Sequence, residues 1–230
     1  MCCLAFILLG TVADAAARDS KKIEALKTAA AEGNLDSQLS LAYAYANADG
    51  VKVDMAEAAK WYAAAAKQGD AEAQNSIGSL YLLGEGVPKD STKACEWFAR
   101  SAAQHNIHGV GNLGTCYDAG FGVAKDLSKA HALYEQAAEA GDLQSMLNVG
   151  VDYWQGEGVG KDLVKAVMWL DLARFYTQTG NSNRRLKWRV RGALDELSKE
   201  ITPAIKAAGE ALSREWDRSN RAKVQKSPRY

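Results

Sequence analysis

Gly78-Ser79-Leu80-Tyr81-Leu82-Leu83-Gly84-Glu85-Gly86-Val87-Pro88-Lys89-Asp90-Ser91-Thr92-Lys93-Ala94-Cys95-Glu96-Trp97-Phe98 is the stretch that decides the fold. It closes one helical pattern on Gly-x-Gly and opens another on an aspartate. Moving 36 residues downstream finds the same frame: Gly114 and Tyr117, then Gly120-Phe121-Gly122-Val123, then Asp126, Ala130, Leu133 and Tyr134. Moving on and back again completes columns that hold four times without a gap, at Tyr45, Tyr81, Tyr117 and Tyr153, and at Asp54, Asp90, Asp126 and Asp162. Ala58, Ala94, Ala130 and Ala166 form a third, and Ala42, Gly78, Gly114 and Gly150 a column of small residues. Self-similarity at a period of this size is the mark of a stacked-repeat architecture.

Each copy reads as two helices. The first copy predicts one near Asp36–Asn47, with Leu41, Ala42 and Tyr45 on one face, and another near Asp54–Lys67, with Ala58, Trp61, Tyr62 and Ala65 on one face. Glycine past a helix end can take positive φ and satisfy the last carbonyls, and the recurrent aspartate stands where an N-cap belongs. Asp54 with Glu57 suggests a capping box. Gly69-Asp70 and Gly141-Asp142 stop one helix and cap the next, with His105 in the glycine's place in the third copy. The large apolar column of Trp61, Trp97, Leu133 and Trp169 is expected in the core. One hairpin of this size cannot bury both faces, so stability must belong to the array. Composition agrees: 47% of residues are hydrophobic, which excludes wholesale disorder, and alternating β-branched runs are scarce. The expectation is an all-α chain, an α/α solenoid of four 36-residue repeats over 36–175.

These residues also carry a family resemblance. Small-Leu-Gly-x-x-Tyr, Gly-x-Gly-Val-x-x-Asp, Ala-x-x-Trp-Φ-x-x-Ala-Ala and Gly-Asp together resemble the Sel-one-like repeat (SLR) family, relatives of the tetratricopeptide superhelices. The resemblance covers about residues 20–175. It implies a right-handed superhelix and an adaptor that binds other proteins, with many bacterial members exported. One cysteine-rich branch is associated with β-lactam binding, so a ligand-binding or hydrolase-like activity on peptidoglycan-related molecules is the alternative.

The ends differ from the repeats. Residues 1–17 combine the apolar run Cys2–Gly10 with Ala-x-Ala at Ala13–Ala15 and Ala15–Ala17, the pattern of a signal peptide without its basic start. The other reading is an apolar capping helix. Cleavage would leave a periplasmic or secreted chain with Cys95 and Cys116 alone, and no membrane span. Residues 18–35 read as a half-repeat cap. Residues 176–216 read as a helical cap with one face at Leu186, Val190, Leu194 and Leu197 and another at Ile205, Ala208, Leu212 and Trp216. Arg184, Arg185, Lys187, Arg189 and Arg191 make it locally basic, either a solvated end or a site for an anionic partner. The basic tail 217–230 is expected to be disordered.

Chemistry is sparse. The 28 basic and 28 acidic residues cancel, which argues against nucleic acid as a partner. Ser-x-x-Lys, Gly-x-Ser-x-Gly and His-Glu-x-x-His are absent from the sequence. The Gly-x-Gly loops follow helices rather than strands, so they read as turns. Cys95, His105, His108 and Cys116 are too dispersed along two helices to share a metal. The expectation is a non-enzyme without cofactor or metal. Its partner, a protein or peptide, would lie in the concave groove along the first helices, against Asn47, Asn112, Asn148, Asp152 and Gln155, whose side chains can hydrogen-bond a peptide backbone. A merely solvated polar face is the other reading. Cys95 and Cys116 flank one turn symmetrically and could form a disulfide in an oxidising compartment.

Overall fold

The structure is a computed structural model and describes residues 21–179 and 184–226. The signal-peptide reading of residues 1–17 and the last residues of the basic tail lie outside the described residues. Among the described residues there are eleven helices and no strand. Helix α1 occupies 21–31, and is followed by α2 (Leu35–Asn47), α3 (Met55–Lys67), α4 (Ala71–Leu83) and α5 (Ser91–Ala103). Then come α6 (Ile107–Ala119), α7 (Leu127–Glu139), α8 (Leu143–Gln155), α9 (Leu163–Thr179), α10 (Arg184–Leu197) and α11 (Pro203–Lys226). The all-α repeat array expected from the 36-residue period is what the chain forms.

Two compact units divide the chain at Ser101 and Ala102. In the first, α2 packs on α3 and α3 on α4. In the second, α6 packs on α7, α7 on α8 and α8 on α9, and both α10 and α11 pack on α9.

The recurrent residues have recurrent jobs. Each aspartate of the Asp column caps the helix after it: Asp54 accepts from the amides of Ala56 and Glu57, Asp90 from Lys93, Asp126 from Lys129, and Asp162 from Val164 and Lys165. Their own amides donate to the carbonyls of Tyr45, Tyr81, Tyr117 and Tyr153, which closes each inter-helix loop identically. The capping box does not form. The carboxylate of Glu57 accepts from Lys60 and from the indole of Trp61 instead of reaching back.

The small column is a seat. A Cβ at Gly78 would stand 2.7 Å from the Phe98 ring, one at Gly114 2.8 Å from the Tyr134 ring, and one at Gly150 2.7 Å from Leu170. The residue after the tryptophan column fills this seat: Phe98, Tyr134 and Leu170 are buried, whereas of the column itself Trp169 is buried and Trp61, Trp97 and Leu133 are half-buried. The second glycine of Gly-x-Gly has a different role. Gly86 and Gly158 have positive φ, and a Cβ on them would lie 1.9 Å from the Met55 carbonyl oxygen and 2.1 Å from that of Leu127. These loops thus press against the start of the second helix one repeat back. His105 does take the glycine's left-handed conformation, at φ 59°.

Two expectations about the C-terminal region are corrected. Residues 217–226 are not disordered but continue α11, because Asp217 and Val224 are buried and the Tyr176 hydroxyl donates to Asp217. The inward stripe of α11 is Ile205, Gly209, Ser213, Trp216 and Val224, while Ala208 and Leu212 face solvent. Gly209 sets that rotation: a Cβ there would be 2.5 Å from Val167 Cβ. Ser213 then donates to Asp171 at 2.7 Å, and Trp216 packs edge-on to Trp169 with ring centroids 5.5 Å apart.

Candidate partner-binding face

The first helix of a repeat presents one stripe to its own second helix and a second stripe elsewhere. In the second unit, Asn112 and Thr115 of α6 and Gln144 of α8 line one pocket, and Gln144 bonds to Asn148 of α8, giving a polar surface across the two helices. Gln144 Nε2 donates to Asn148 Oδ1 at 2.9 Å, and Tyr134 of α7 donates its hydroxyl to Thr115 at 3.2 Å. Arg189 reaches in from α10 and donates to Gln144 Oε1 at 2.8 Å. Arg189 itself is exposed. Partial desolvation, aided by the like charge of Arg185, holds its pKa below the usual arginine value, and Tyr134 opposes this.

A pocket of about 120 Å³ opens beside this surface, lined by His108, Gly111, Asn112, Thr115, Asp142, Gln144 and Ser145. Asp142 organises it. One carboxylate oxygen accepts from the amide of Ser145 at 2.7 Å, capping α8, and the other lies 3.1 Å from His108 Nδ1 on α6. The hydroxyl of Ser145 is buried without a hydrogen-bond partner and would be 2.6 Å from a Cβ on Gly111. A histidine, an aspartate and a serine are thus neighbours. The space beside them is nevertheless well under the ~300–1,000 Å³ of ordinary small-molecule sites.

The expected partner-binding residues separate. Asn112 and Asn148 are both half-buried, Asn112 in the pocket lining and Asn148 bonded to Gln144, and Gln155 is exposed at the end of α8. Asp152 points instead to His131 of α7, with Oδ2 2.9 Å from Nδ1, and burial is the largest cause raising its pKa. Asn47 belongs to the first unit, where its amide donates to the Tyr43 carbonyl of its own helix. The column Ala44, Leu80, Cys116 and Asp152 is not open surface: the first three are buried, and only 14% of the Asp152 side chain is exposed. Cys95 and Cys116 are both buried, and neither is a free thiol.

Residue types alone did not reveal Thr115, Gln144, Arg189 or the His131–Asp152 pair. For the last a signal existed. His131 and Asp152 stand 21 residues apart, as do Cys95 and Cys116, Ala59 and Leu80, and Ile23 and Ala44. Ala59 and Leu80 share one buried cluster, Ile23 and Ala44 another. This spacing therefore marks the position where a second helix meets the next first helix. Among the described residues, no group of three or more His, Cys, Asp or Glu is placed to hold a metal ion, and no helix is long and apolar enough to cross a membrane.

The Sel1 repeat family model matches residues 35–70, 71–106, 111–142 and 143–174, one match per hairpin. Among solved structures, the chain is similar to a protective antigen of uropathogenic Escherichia coli strains displaying an SLR fold. Identity is 30% and the TM-score 0.75, over 90% of this chain and 44% of that one. It is also similar to a Sel1 repeat protein from Oxalobacter formigenes, at 28% identity and TM-score 0.64, over 79% of this chain and 78% of that one. This chain spans less than half of the first of these structures. No curated protein matches.

Proposed function

Because the chain belongs to the Sel1 repeat family, we propose that it is an exported, non-catalytic scaffold that holds a protein or peptide against the first helices of its repeats. Sel1 repeat proteins are usually protein–protein interaction scaffolds. The observation that carries the reading here is the polar surface of Asn112, Thr115, Gln144 and Asn148, presented by two successive first helices. Side-chain amides pair with the backbone of an extended partner without requiring particular side chains, so one surface serves many sequences. Affinity purification of the full chain from its source cells tests this. A double Asn112→Ala, Asn148→Ala variant is expected to lose the partner captured by the wild type, and undiminished capture would count against the surface.

The small-molecule alternative has one observation in its favour, the neighbouring His108, Asp142 and Ser145. The volume of their pocket speaks against a β-lactam-sized substrate, and the carboxylate is already committed to a helix cap and to His108. Turnover of a chromogenic β-lactam by purified protein would reverse this preference. Export rests on the two Ala-x-Ala sites near the start of the chain. Fractionation of source cells should find the protein outside the cytoplasm.

A further inference from the structure

We propose that the polar surface of the second unit takes an acidic protein segment, with Arg189 receiving one of its carboxylates and the exposed face of α10 supplying the surrounding positive charge. This rests on the scaffold reading and specifies its partner.

Arg189 is the starting point. Its guanidinium is drawn toward α8 and bonded to the neutral oxygen of Gln144, and no carboxylate is ion-paired with it among the described residues. An exposed guanidinium bonded only to a neutral amide keeps its full charge available to an incoming carboxylate. Its neighbours add to the imbalance. Arg184, Lys187 and Arg191 stand within the same two turns, with no acidic residue before Asp195. The contact of Arg191 with Asp195 is long, at 3.8 Å, and both side chains are largely in solvent, so it neutralises little.

The apolar side of α10 does not compete for a partner. Leu186, Val190, Leu194 and Leu197 are spent on the core with α9. What α10 leaves outward is a row of cations around Trp188, which is 75% exposed, the most exposed large apolar residue described. Tryptophan and arginine are the residue types that most often carry interface energy. A lipid surface would need a broad outward apolar face, which this helix has already buried. An acidic peptide needs only fixed cations, one aromatic anchor and hydrogen-bonding groups for its backbone, and Arg189, Trp188, Gln144, Asn148 and Asn112 supply these. Asp118 is close enough to Tyr134 to act on it and would repel a carboxylate placed there. The bound segment should therefore place its carboxylates toward α10.

Fluorescence anisotropy with the full chain tests this. The probes are a fluorescein-labelled octapeptide alternating Glu with Ala, the same peptide with Gln or with Lys for Glu, and vesicles of phosphatidylglycerol in phosphatidylcholine. The Glu peptide is expected to bind tightest, to weaken as salt is raised, and to lose about tenfold in affinity in Arg189→Gln. Trp188→Ala is expected to weaken it by a similar factor, on a side chain too exposed to disturb folding. Equal binding of the Glu and Gln peptides, or an unchanged affinity in both variants, overturns the inference. So does Arg189-dependent binding to vesicles without binding to the peptide. Failure of the Glu peptide while Asn112- and Asn148-dependent capture persists removes the acidic partner and leaves the scaffold. Loss of that capture as well removes both.

Discussion

At the scale of single residues, contact geometry separates positions that a repeat alignment makes look alike. Gly69 and Gly86 both have positive φ, at 99° and 70°. Around Gly69 a Cβ would meet nothing within 4 Å, whereas at Gly86 it would overlap the Met55 carbonyl. Gly69→Ala should cost only the left-handed backbone penalty, about 1–2 kcal/mol. Gly86→Ala must in addition push a loop off the preceding repeat, so its loss in chemical denaturation should clearly exceed that of Gly69→Ala. Equal losses would mean that the Gly86 loop is not a packing contact. Asp152 gives a pH test. Burial, its largest cause, raises its pKa against the opposing His131 bond. The folded state therefore holds a proton that the unfolded chain has already released, and stability falls as pH rises from the unfolded value through the raised one. Asp152→Asn keeps an acceptor for His131 and removes the buried charge. Its melting temperature should exceed that of the wild type near pH 7, with the gap closing as pH approaches about 4. A gap independent of pH would refute the assignment.

At the scale of elements, α11 is where the reading of residue types failed and where a deletion is informative. The basic composition of 217–226 suggested a solvated tail. Yet Asp217 accepts from the Tyr176 hydroxyl and from Arg221, and Val224 is 3% exposed in the core cluster of α8, α9 and α10. Removing residues 217–230 should lower the melting temperature by several degrees. An unchanged melting curve would restore the tail to solvent. The hairpins themselves were legible because their caps, turns and small-residue seats are local and occur repeatedly, so each copy checks the others. The C-terminal helices occur once, and the rotation of α11 is set by the approach of Gly209 to Val167, two residues far apart in sequence. The proposed surface was legible in part for the same reason. Asn112 and Asn148 recur in register, whereas Arg189 joins them from outside the repeat, and Asp152 was claimed by a histidine whose pairing shows only once the 21-residue spacing is recognised.

At the scale of the whole molecule, that spacing carries a consequence for redox state and location. The position where a second helix meets the next first helix is filled by Ile23 and Ala44, then by Ala59 and Leu80, and later by His131 and Asp152. Cys95 and Cys116 have the same 21-residue spacing in the sequence, and we propose that they are bridged to each other. A closed loop of this length contributes about 3 kcal/mol in the chain-entropy account. It persists only where thiols are not kept reduced, as outside the cytoplasm. Bridge and export thus make one joint prediction for protein isolated from its source. N-terminal sequencing should begin at Ala16 or Arg18, following one of the two Ala-x-Ala sites, and intact mass should rise by about 2 Da on reduction. Reduced protein should also melt at lower temperature, while Cys95→Ala should show neither the mass change nor the redox dependence. A mature chain that still carries its first residues would refute export. A chain whose mass does not change on reduction would refute the bridge, and because the two readouts are separate, either half can fail alone.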